Sequence, residues 1–166
     1  MFKPDYIVIH TAADPRENGK RDTSAAEITT WHKAQGWKTI GYHYVVRRDG
    51  SIEQGRPLTE PGSHARGLNH RSIGICFSGH GDLQPLTFRQ LRSGIELVRK
   101  LMNQYNIPIN RVIGHNEINT LVKNGVLGKQ YQVHKTCPGK HINMSWLRQM
   151  ILTAGSRKTT SEVTKN

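Results

Sequence analysis

Apolar and polar positions in the first part of the chain predict a strand followed by a helix. The short β-branched run Tyr6–Ile9 fits a buried strand that delivers His10 at its C-terminal end. Apolar residues then recur every three or four positions over residues 24–35, and Ser24 with Glu27 forms a capping-box pattern at their start. We therefore expect one amphipathic helix in this segment.

The middle of the chain predicts a hairpin and then a central strand. The dipeptide Asp49-Gly50 favours a tight turn, and it separates GYHYVVRR from SIEQG. Residues 41–55 are therefore expected to form two antiparallel strands. The run SIGICFSG, which begins at Ser72, consists of small and apolar residues suited to the centre of a sheet. Cys76 lies inside this run and is expected to be a buried apolar residue.

Helical periodicity continues in the second half of the chain. Thr87 and Gln90 form another capping box, and apolar residues step by three and four over residues 87–105. This segment is expected to be the longest helix. The run Arg111–Gly114 then predicts a short strand, and His115 follows at its end.

The remaining segments have a weaker pattern. Residues 119–132 are polar, contain glycine and show no clear period, which predicts a loop. Asn143 caps a last helix that is expected to end near Leu152, and the polar residues 155–166 are expected to be a disordered tail. Strands interleaved with helices predict a single α/β domain over residues 1–154, with a mixed central sheet flanked by helices.

The charge of the chain is strongly positive and unevenly distributed. The 166 residues include 24 Lys and Arg against 12 Asp and Glu, which gives a net charge of +12. Residues 1–30 hold four basic and five acidic side chains, so residues 31–166 carry a net +13. This balance suggests a nucleic acid, a membrane surface or an anionic envelope as a partner without choosing among them.

Hydropathy and cysteine content exclude other classes of protein. The mean hydropathy is −0.62, and no run approaches the roughly 20 apolar residues that a membrane-spanning helix needs. The first residues, MFKPDYIVIH, lack the apolar core of about 7–15 residues of a secretory signal, so none is expected. The two cysteines are 61 positions apart, which favours reduced thiols or a metal ligand over a disulfide framework.

Two histidines and one cysteine are candidates for a metal site. His10 and His115 both follow apolar strands, and Cys137 lies in the loop KTCPGK before the last helix. Imidazole and thiolate are ligands that zinc prefers, and three protein ligands leave the fourth position open, as in catalytic sites. Zinc lowers the pKa of a bound water to about 7 and polarises a carbonyl, which suits amide hydrolysis. Spacing alone leaves His134 as a rival ligand.

Six motifs, in order, cover about residues 6–140: IVIHTAA, WHKAQGW, GYHYVVRRDGSIEQGR, GSHARGLNHRSIGICFSG, GHNEIN and KTCPGK. Together they closely resemble the type-2 N-acetylmuramoyl-L-alanine amidases. That family includes the small amidase lysozymes of tailed phages and is related to animal peptidoglycan recognition proteins. The resemblance implies a fold of the peptidoglycan-recognition type and one bound zinc ion. It also implies hydrolysis of the amide bond between N-acetylmuramic acid and L-alanine in peptidoglycan.

The resemblance also implies the roles of five residues. His10, His115 and Cys137 match the zinc ligands of the family. Tyr42, in GYH, matches a tyrosine over the zinc, whose hydroxyl can orient the attacking water or donate to the developing oxyanion. Lys135 matches the second catalytic position, where an ammonium group stabilises negative charge on the tetrahedral intermediate.

Three further residues receive an expected role, and the choice between two histidine ligands is made. The GHNE match favours His115 over His134 as the ligand. His64, in GSHARG, looks like the histidine that faces the substrate groove, and Glu117 is expected to accept the free N–H of a zinc-bound imidazole. His43 is expected to be structural, because adjacent residues of a strand point to opposite faces.

Two segments depart from the compact phage enzymes. Residues 119–134 make the stretch between the second histidine ligand and the cysteine longer, so the wall of the groove is expected to differ there. The loop that follows His10 is rich in Arg and Lys and is expected to contact substrate differently.

The biological role expected from this resemblance is that of a phage or prophage endolysin. Such a protein is synthesised in the host cytoplasm without a signal peptide and reaches the cell wall after holin-type release. Its partner is bacterial peptidoglycan, with electrostatic attraction to the anionic envelope, and it is expected to be a monomer. One phage relative also binds a polymerase, which makes a protein partner of that kind a lesser expectation.

Four alternatives are open to this sequence, and three of them belong to other classes of protein. A cytoplasmic amidase that recycles muropeptides shares the chemistry, and a non-catalytic peptidoglycan-binding module typically lacks the cysteine that this chain has. A zinc nucleobase deaminase is suggested by the spacing of His115 and Glu117, but no second cysteine follows Cys137 as that chemistry requires. Specific nucleic-acid binding is not expected, because no recognised motif accompanies the charge.

Overall fold

The protein is built around a five-stranded mixed sheet with the strand order β3-β2-β4-β1-β5. The computed structural model describes the backbone of residues 1–163 and the side chains of residues 1–156. Strand β2 pairs with β3 in antiparallel orientation, and the other neighbours are parallel. The strands are β1 (Tyr6–Thr11), β2 (Tyr44–Val46), β3 (Ile52–Gln54), β4 (Ser72–Phe77) and β5 (Val112–Gly114). The predicted α/β class is confirmed.

Helices and short turns connect the strands. The α-helices of the described chain are α1 (Ala25–Ala34), α2 (Phe88–Tyr105), α3 (Ile118–Lys123) and α4 (Met144–Val163). Single 3₁₀ turns lie at Arg16–Gly19, Asn69–Arg71, Ile109–Arg111, His115–Glu117 and Lys129–Tyr131. Among the helices described, none is long and apolar enough to cross a membrane.

The central strands are buried on both faces. Ile7 and Ile9 of β1 pack with residues of α2 and α4, whereas Val8 packs on the other face with Leu68 and Ile118. Every residue of β1 and β4 is buried, as expected for parallel strands covered on both sides. Polar side chains of these strands can therefore reach a ligand mainly where the strands end.

Both helix starts that carry a capping-box pattern are present in the structure. The Ser24 side chain accepts the N–H of Glu27, but the Glu27 carboxylate bonds arginines of the preceding loop instead of completing the capping box. At α2 the box is complete, because Thr87 and Gln90 bond each other's backbone N–H groups. The Asp49-Gly50 turn and the antiparallel strands around it also agree with the prediction.

One prediction about regular structure, that for residues 119–132, was wrong. Residues 119–132 were expected to be a loop, but they contain most of α3, which buries Ile118 in the core and packs Leu121 and Val122 against it. The apolar residues of α3 do recur at helical spacing. The helix has only six residues, however, which is too short for the pattern to stand out in a polar segment.

The last helix is also longer than predicted. It extends past Leu152 to Val163, so residues 155–163 of the expected tail are helical, while residues 164–166 lie outside the described chain. No proline interrupts this stretch. Arg99 of α2 donates to the carbonyl of Ile151 at 3.0 Å. This bond holds the part of α4 around Ile151 against α2.

The cap of α2 provides a test of the fold. The Thr87 hydroxyl accepts the N–H of Gln90 at 3.0 Å and donates to the carbonyl of Arg48 at 2.6 Å. We expect Thr87→Ala to lower the free energy of unfolding by about 1–2 kcal/mol, because both bonds are lost. Thr87→Ser keeps the hydroxyl and should stay close to the native value in urea unfolding. Equal losses in the two variants would contradict a role for the hydroxyl.

Candidate metal centre and its surroundings

Three potential metal ligands meet at the carboxyl edge of the sheet. His10 is the penultimate residue of β1, and His115 directly follows β5, the parallel neighbour of β1. The ligand atoms of His10, His115 and Cys137 all lie within 4.8 Å of one another. The structure thus brings together the three residues predicted as ligands, whereas His134 is exposed and outside the cluster.

Long-range backbone contacts place Cys137 beside His10. The hydroxyl of Thr11, the last residue of β1, donates to the carbonyl of Pro138 at 2.8 Å. The N–H of Asn116 donates to the carbonyl of Cys137 at 2.8 Å. The cysteine is therefore attached to the ends of the same two strands that carry the histidines.

The Asp82 carboxylate fixes the rest of the cysteine loop. It accepts the Thr136 hydroxyl at 2.6 Å and the backbone N–H of Lys140 at 2.8 Å. Neither Thr11 nor Asp82 was singled out in the sequence. Both contacts join residues more than 50 positions apart, so no local pattern could reveal them.

Burial keeps the three candidate ligands uncharged. It lowers the pKa of His10 well below its usual range and that of His115 to about 4, and it raises the pKa of the Cys137 thiol to about 11. Neutral imidazoles have free lone pairs for a metal. A bound cation would favour loss of the thiol proton, because metal ligands bind deprotonated.

The geometry and the donor set fit zinc. The Nδ1 atom of His10 lies 3.6 Å from the Sγ atom of Cys137. A tetrahedral zinc ion with nitrogen at ~2.1 Å and sulfur at ~2.3 Å separates those two atoms by about 3.6 Å. Two imidazoles and a thiolate are also the soft to borderline ligands that zinc prefers.

Tyr42 lies directly over the cluster. Its ring centroid is 4.9 Å from that of His10, and it is 5.5 Å from the ring centroid of His32. Burial raises the pKa of the Tyr42 phenol well above its usual value. The hydroxyl is therefore protonated at neutral pH, and it contacts the Cys76 thiol.

Lys135 lies at the open side of the cluster, between two cavities. One, of about 330 Å³, is bounded by Ala13, Asp82 and the cysteine loop, and the other, of about 470 Å³, by Arg66, His115 and residues 130–134. Lys135 lines both cavities and is itself exposed. Its positive charge helps to lower the pKa of His115 and counteracts the rise in the pKa of Cys137.

The prediction that His64 faces the substrate groove was wrong. Its side chain is buried behind His10, and its Nδ1 atom lies 2.9 Å from Nε2 of His10. Its Nε2 atom lies 3.2 Å from the Ser72 hydroxyl, so both ring nitrogens are engaged inside the protein. Burial lowers the pKa of His64 to about 3. His43 is fully buried and bonds the backbone of Gly74 and Glu60, in agreement with a structural role.

The predicted contact between Glu117 and a ligand imidazole was also wrong. The Oε1 atom of Glu117 accepts the N–H of Gly114 at 2.9 Å, and both carboxylate oxygens pair with Arg148 at 2.7 and 3.0 Å. The carboxylate caps the turn that contains His115 and joins it to α4. It thus supports the position of His115 through the backbone and not through the ring.

The basic loop after His10 is largely paired with its own acids. Arg16 bonds Asp14 and Glu27, and Arg21 also bonds Glu27. Asp14 is buried and accepts the hydroxyl of Thr23 at 2.9 Å as well. The guanidinium groups of this loop therefore stabilise its conformation, and contact of the loop with substrate stays a prediction.

The mixed sheet with two imidazoles and a thiol at its carboxyl edge defines an α/β protein with a candidate mononuclear metal centre. Residues 1–140 match the family model described as N-acetylmuramoyl-L-alanine amidase. The chain belongs to this N-acetylmuramoyl-L-alanine amidase family.

Similar proteins cover nearly the whole chain. The endolysin of Escherichia phage T7 is 32% identical over 159 residues, which are 90% of each protein. The amidase LysC of Clostridium intestinale URNW superposes with a TM-score of 0.73 at 33% identity, and the match covers 90% of this chain and 86% of that one. A bumblebee peptidoglycan recognition protein shares the fold, with a TM-score of 0.67 at 21% identity over 86% of this chain and 79% of that one.

The buried Asp14 gives a pH-dependent test of the loop after His10. Its bond to Arg16 is the main reason why its pKa lies below the usual value of 3.8. A depressed carboxyl pKa stabilises the fold above the unfolded-state pKa, and this contribution disappears as the pH falls through the folded-state value. We expect Asp14→Asn to reduce the free energy of unfolding most near neutral pH and progressively less below pH ~4. A difference that stays constant down to pH ~2 in urea titrations would contradict the charge-based explanation.

Proposed function

We propose that this protein is a zinc-dependent amidase that hydrolyses the bond between N-acetylmuramic acid and L-alanine in peptidoglycan. The observation that carries the proposal is the cluster of His10, His115 and Cys137, with Tyr42 over it and Lys135 at its open side. Membership of the amidase family and the similarity to phage endolysins support the same reaction.

Each residue of the cluster has a chemical role in this proposal. His10, His115 and Cys137 hold the zinc ion, which acts as a Lewis acid and lowers the pKa of water when it is bound. Tyr42 donates its hydroxyl hydrogen toward the oxygen on which negative charge develops. Lys135 stabilises the same charge from the open side. Hydrolysis adds water across the amide, which leaves a carboxylate on the lactyl group and a free amine on alanine.

The cavities on either side of Lys135 form the proposed substrate groove. Their walls include amide side chains from Gln130 and Gln132 and cationic groups from Arg66 and Lys135. Such a lining suits a ligand with many hydroxyl, amide and carboxylate groups, as in peptidoglycan. The segment 130–135 forms much of one wall, which fits the expectation that this longer connection shapes the groove.

We further propose the role of an endolysin, synthesised in the cytoplasm of the host and active on the wall after holin-type release. The phage relatives favour this role over recycling of muropeptides. The net charge of +12 is proposed to attract the monomeric protein to the anionic envelope. A non-catalytic binding module is disfavoured because Cys137 completes the ligand set.

Removal of one cysteine tests the proposed reaction. We expect Cys137→Ser to lower the rate of hydrolysis of purified sacculi at least ~100-fold. Loss of a metal ligand should lower activity more than loss of a residue that only hydrogen-bonds to a ligand. Cys76→Ala removes the other cysteine, which is fully buried beside Tyr42 but is not one of the clustered ligands, and should lose far less activity. The readout is mass spectrometry of released peptides with a free N-terminal alanine. Binding of sacculi without any release by the zinc-loaded native protein would instead support the binding module.

Variants of two lysines distinguish a catalytic role of Lys135 from a general effect of positive charge on binding to the cell wall. Lys135 and Lys140 are both exposed, but Lys135 alone lines both cavities beside the cluster. We expect Lys135→Met to lower kcat by about 100-fold, because a charge aimed at the developing oxyanion is lost. Lys140→Met should lower only the salt-dependent association with sacculi. Equal kcat values for the two variants on a soluble muropeptide would contradict the proposed role of Lys135.

A further inference from the structure

A line of hydrogen bonds runs from His10 into the core. The Nε2 atom of His10 lies 2.9 Å from Nδ1 of His64, and Nε2 of His64 lies 3.2 Å from the Ser72 hydroxyl. The Ser72 hydroxyl in turn lies 2.7 Å from the carbonyl oxygen of Leu68. All these contacts are buried, so water does not compete for the bonding groups.

The Leu68 carbonyl at the end of this line determines which atom carries each proton. A carbonyl oxygen only accepts, so the single hydroxyl hydrogen of Ser72 is donated to Leu68 in the shortest contact of the line. Ser72 must then accept from Nε2–H of His64. A neutral imidazole has one N–H, so Nδ1 of His64 accepts from Nε2–H of His10. The Nδ1 atom of His10, which faces Cys137 at 3.6 Å, therefore has a free lone pair.

The opposite order of protons is unfavourable. If Ser72 donated to His64, no hydrogen would lie between the oxygens of Ser72 and Leu68, which are 2.7 Å apart. His64 would then donate to His10, and the remaining proton of His10 would occupy Nδ1 and block it as a ligand. Only the first order places a hydrogen in each of the three contacts and leaves Nδ1 free.

We propose that His64 is a positioning residue that fixes His10 in the tautomer whose Nδ1 atom binds the metal. This inference rests on the proposed zinc site and adds to it the group that prepares one ligand. His64 acts through His10 and does not contact substrate.

The surroundings of His64 hold its ring in a single orientation. A Cβ atom placed on Gly62 would lie 2.6 Å from Cδ2 of His64, and one on Gly74 would lie 2.6 Å from its Cγ atom. The Asn69 side chain accepts the backbone N–H groups of both His64 and Ala65 at 2.8 Å. The backbone and the ring are therefore both fixed, as expected of a residue whose function is orientation.

A matched pair of variants distinguishes the effect of the hydrogen-bond acceptor of His64 from the effect of its side-chain shape. In His64→Asn, the amide oxygen can occupy the position of Nδ1 and accept from His10. In His64→Leu, a methyl group of similar size occupies that position and cannot accept. We expect His64→Leu to weaken zinc affinity about 10–100-fold and His64→Asn to remain within ~3-fold of the native protein, measured by competition with a chelating indicator.

Nitrogen NMR of the metal-free protein provides a second readout that does not depend on zinc. The ring ¹⁵N shifts of His10 should indicate protonated Nε2 in the native protein and in His64→Asn, and a mixture of tautomers in His64→Leu. Unchanged His10 tautomers in a folded His64→Leu protein, or equal zinc affinities in the two variants, would overturn the inference. Absence of zinc binding by the native protein would instead count against the proposed metal site. The His10 tautomers of the metal-free protein would still test the role of His64 in that case.

A smaller change tests the same line from its far end. Ser72→Ala removes one oxygen atom and leaves His64 in place, so the fold is less affected than by a change of the ring. Without the hydroxyl, the Nε2 proton of His64 is held less firmly, and His64 can exchange its proton between the two nitrogens more readily. We expect His10 to show a mixture of tautomers and weaker zinc affinity than the native protein. A native tautomer and native affinity in Ser72→Ala would contradict the assignment of protons along the line.

Discussion

Parallel pairing of β1 with β5 fixes the distance between two side chains that are more than 100 positions apart in the chain. The register aligns Ile9 with Gly114, so His10 and His115 are the next residues at the same edge of the sheet. Helices cover both faces of these strands, which leaves the strand ends as the place where polar side chains can meet a ligand. The contacts from Thr11 and Asn116 then attach the cysteine loop to the same edge. The candidate metal centre is therefore a consequence of strand pairing.

The dependence on strand pairing couples the cluster to the stability of the fold. None of the three ligands is near another in sequence, so the unfolded chain has no preformed site, and binding of a metal would stabilise the folded state. Burial also lowers the pKa of both histidines and raises that of Cys137, and each shift favours the uncharged side chain. The folded protein thus presents neutral donors in a desolvated place, where a cation would be the largest local charge.

The sequence alone was sufficient for the order of the main elements and for the three clustered ligands. Capping boxes and apolar periods are local signals, which is why α1, α2 and the central strands were predicted close to their observed bounds. Local signals do not reveal which way a side chain points once its element is packed. His64 bonds a residue 54 positions away, and Glu117 pairs with Arg148 of α4, so their partners depend on tertiary structure. The same limit applies to α3, whose six residues are stabilised mainly by the core contacts of Ile118.

The corrected roles of His64 and Glu117 together affect the charge of the centre. A carboxylate bonded to a ligand imidazole would add negative charge next to the metal and increase the basicity of that ligand. Here the carboxylate of Glu117 is neutralised by Arg148, and the group behind His10 is a neutral imidazole that leads to a hydroxyl and a carbonyl. The thiolate would then be the only anionic ligand that the cluster provides. A divalent cation held there would keep a net positive charge to polarise a carbonyl, which is the property that amide hydrolysis requires.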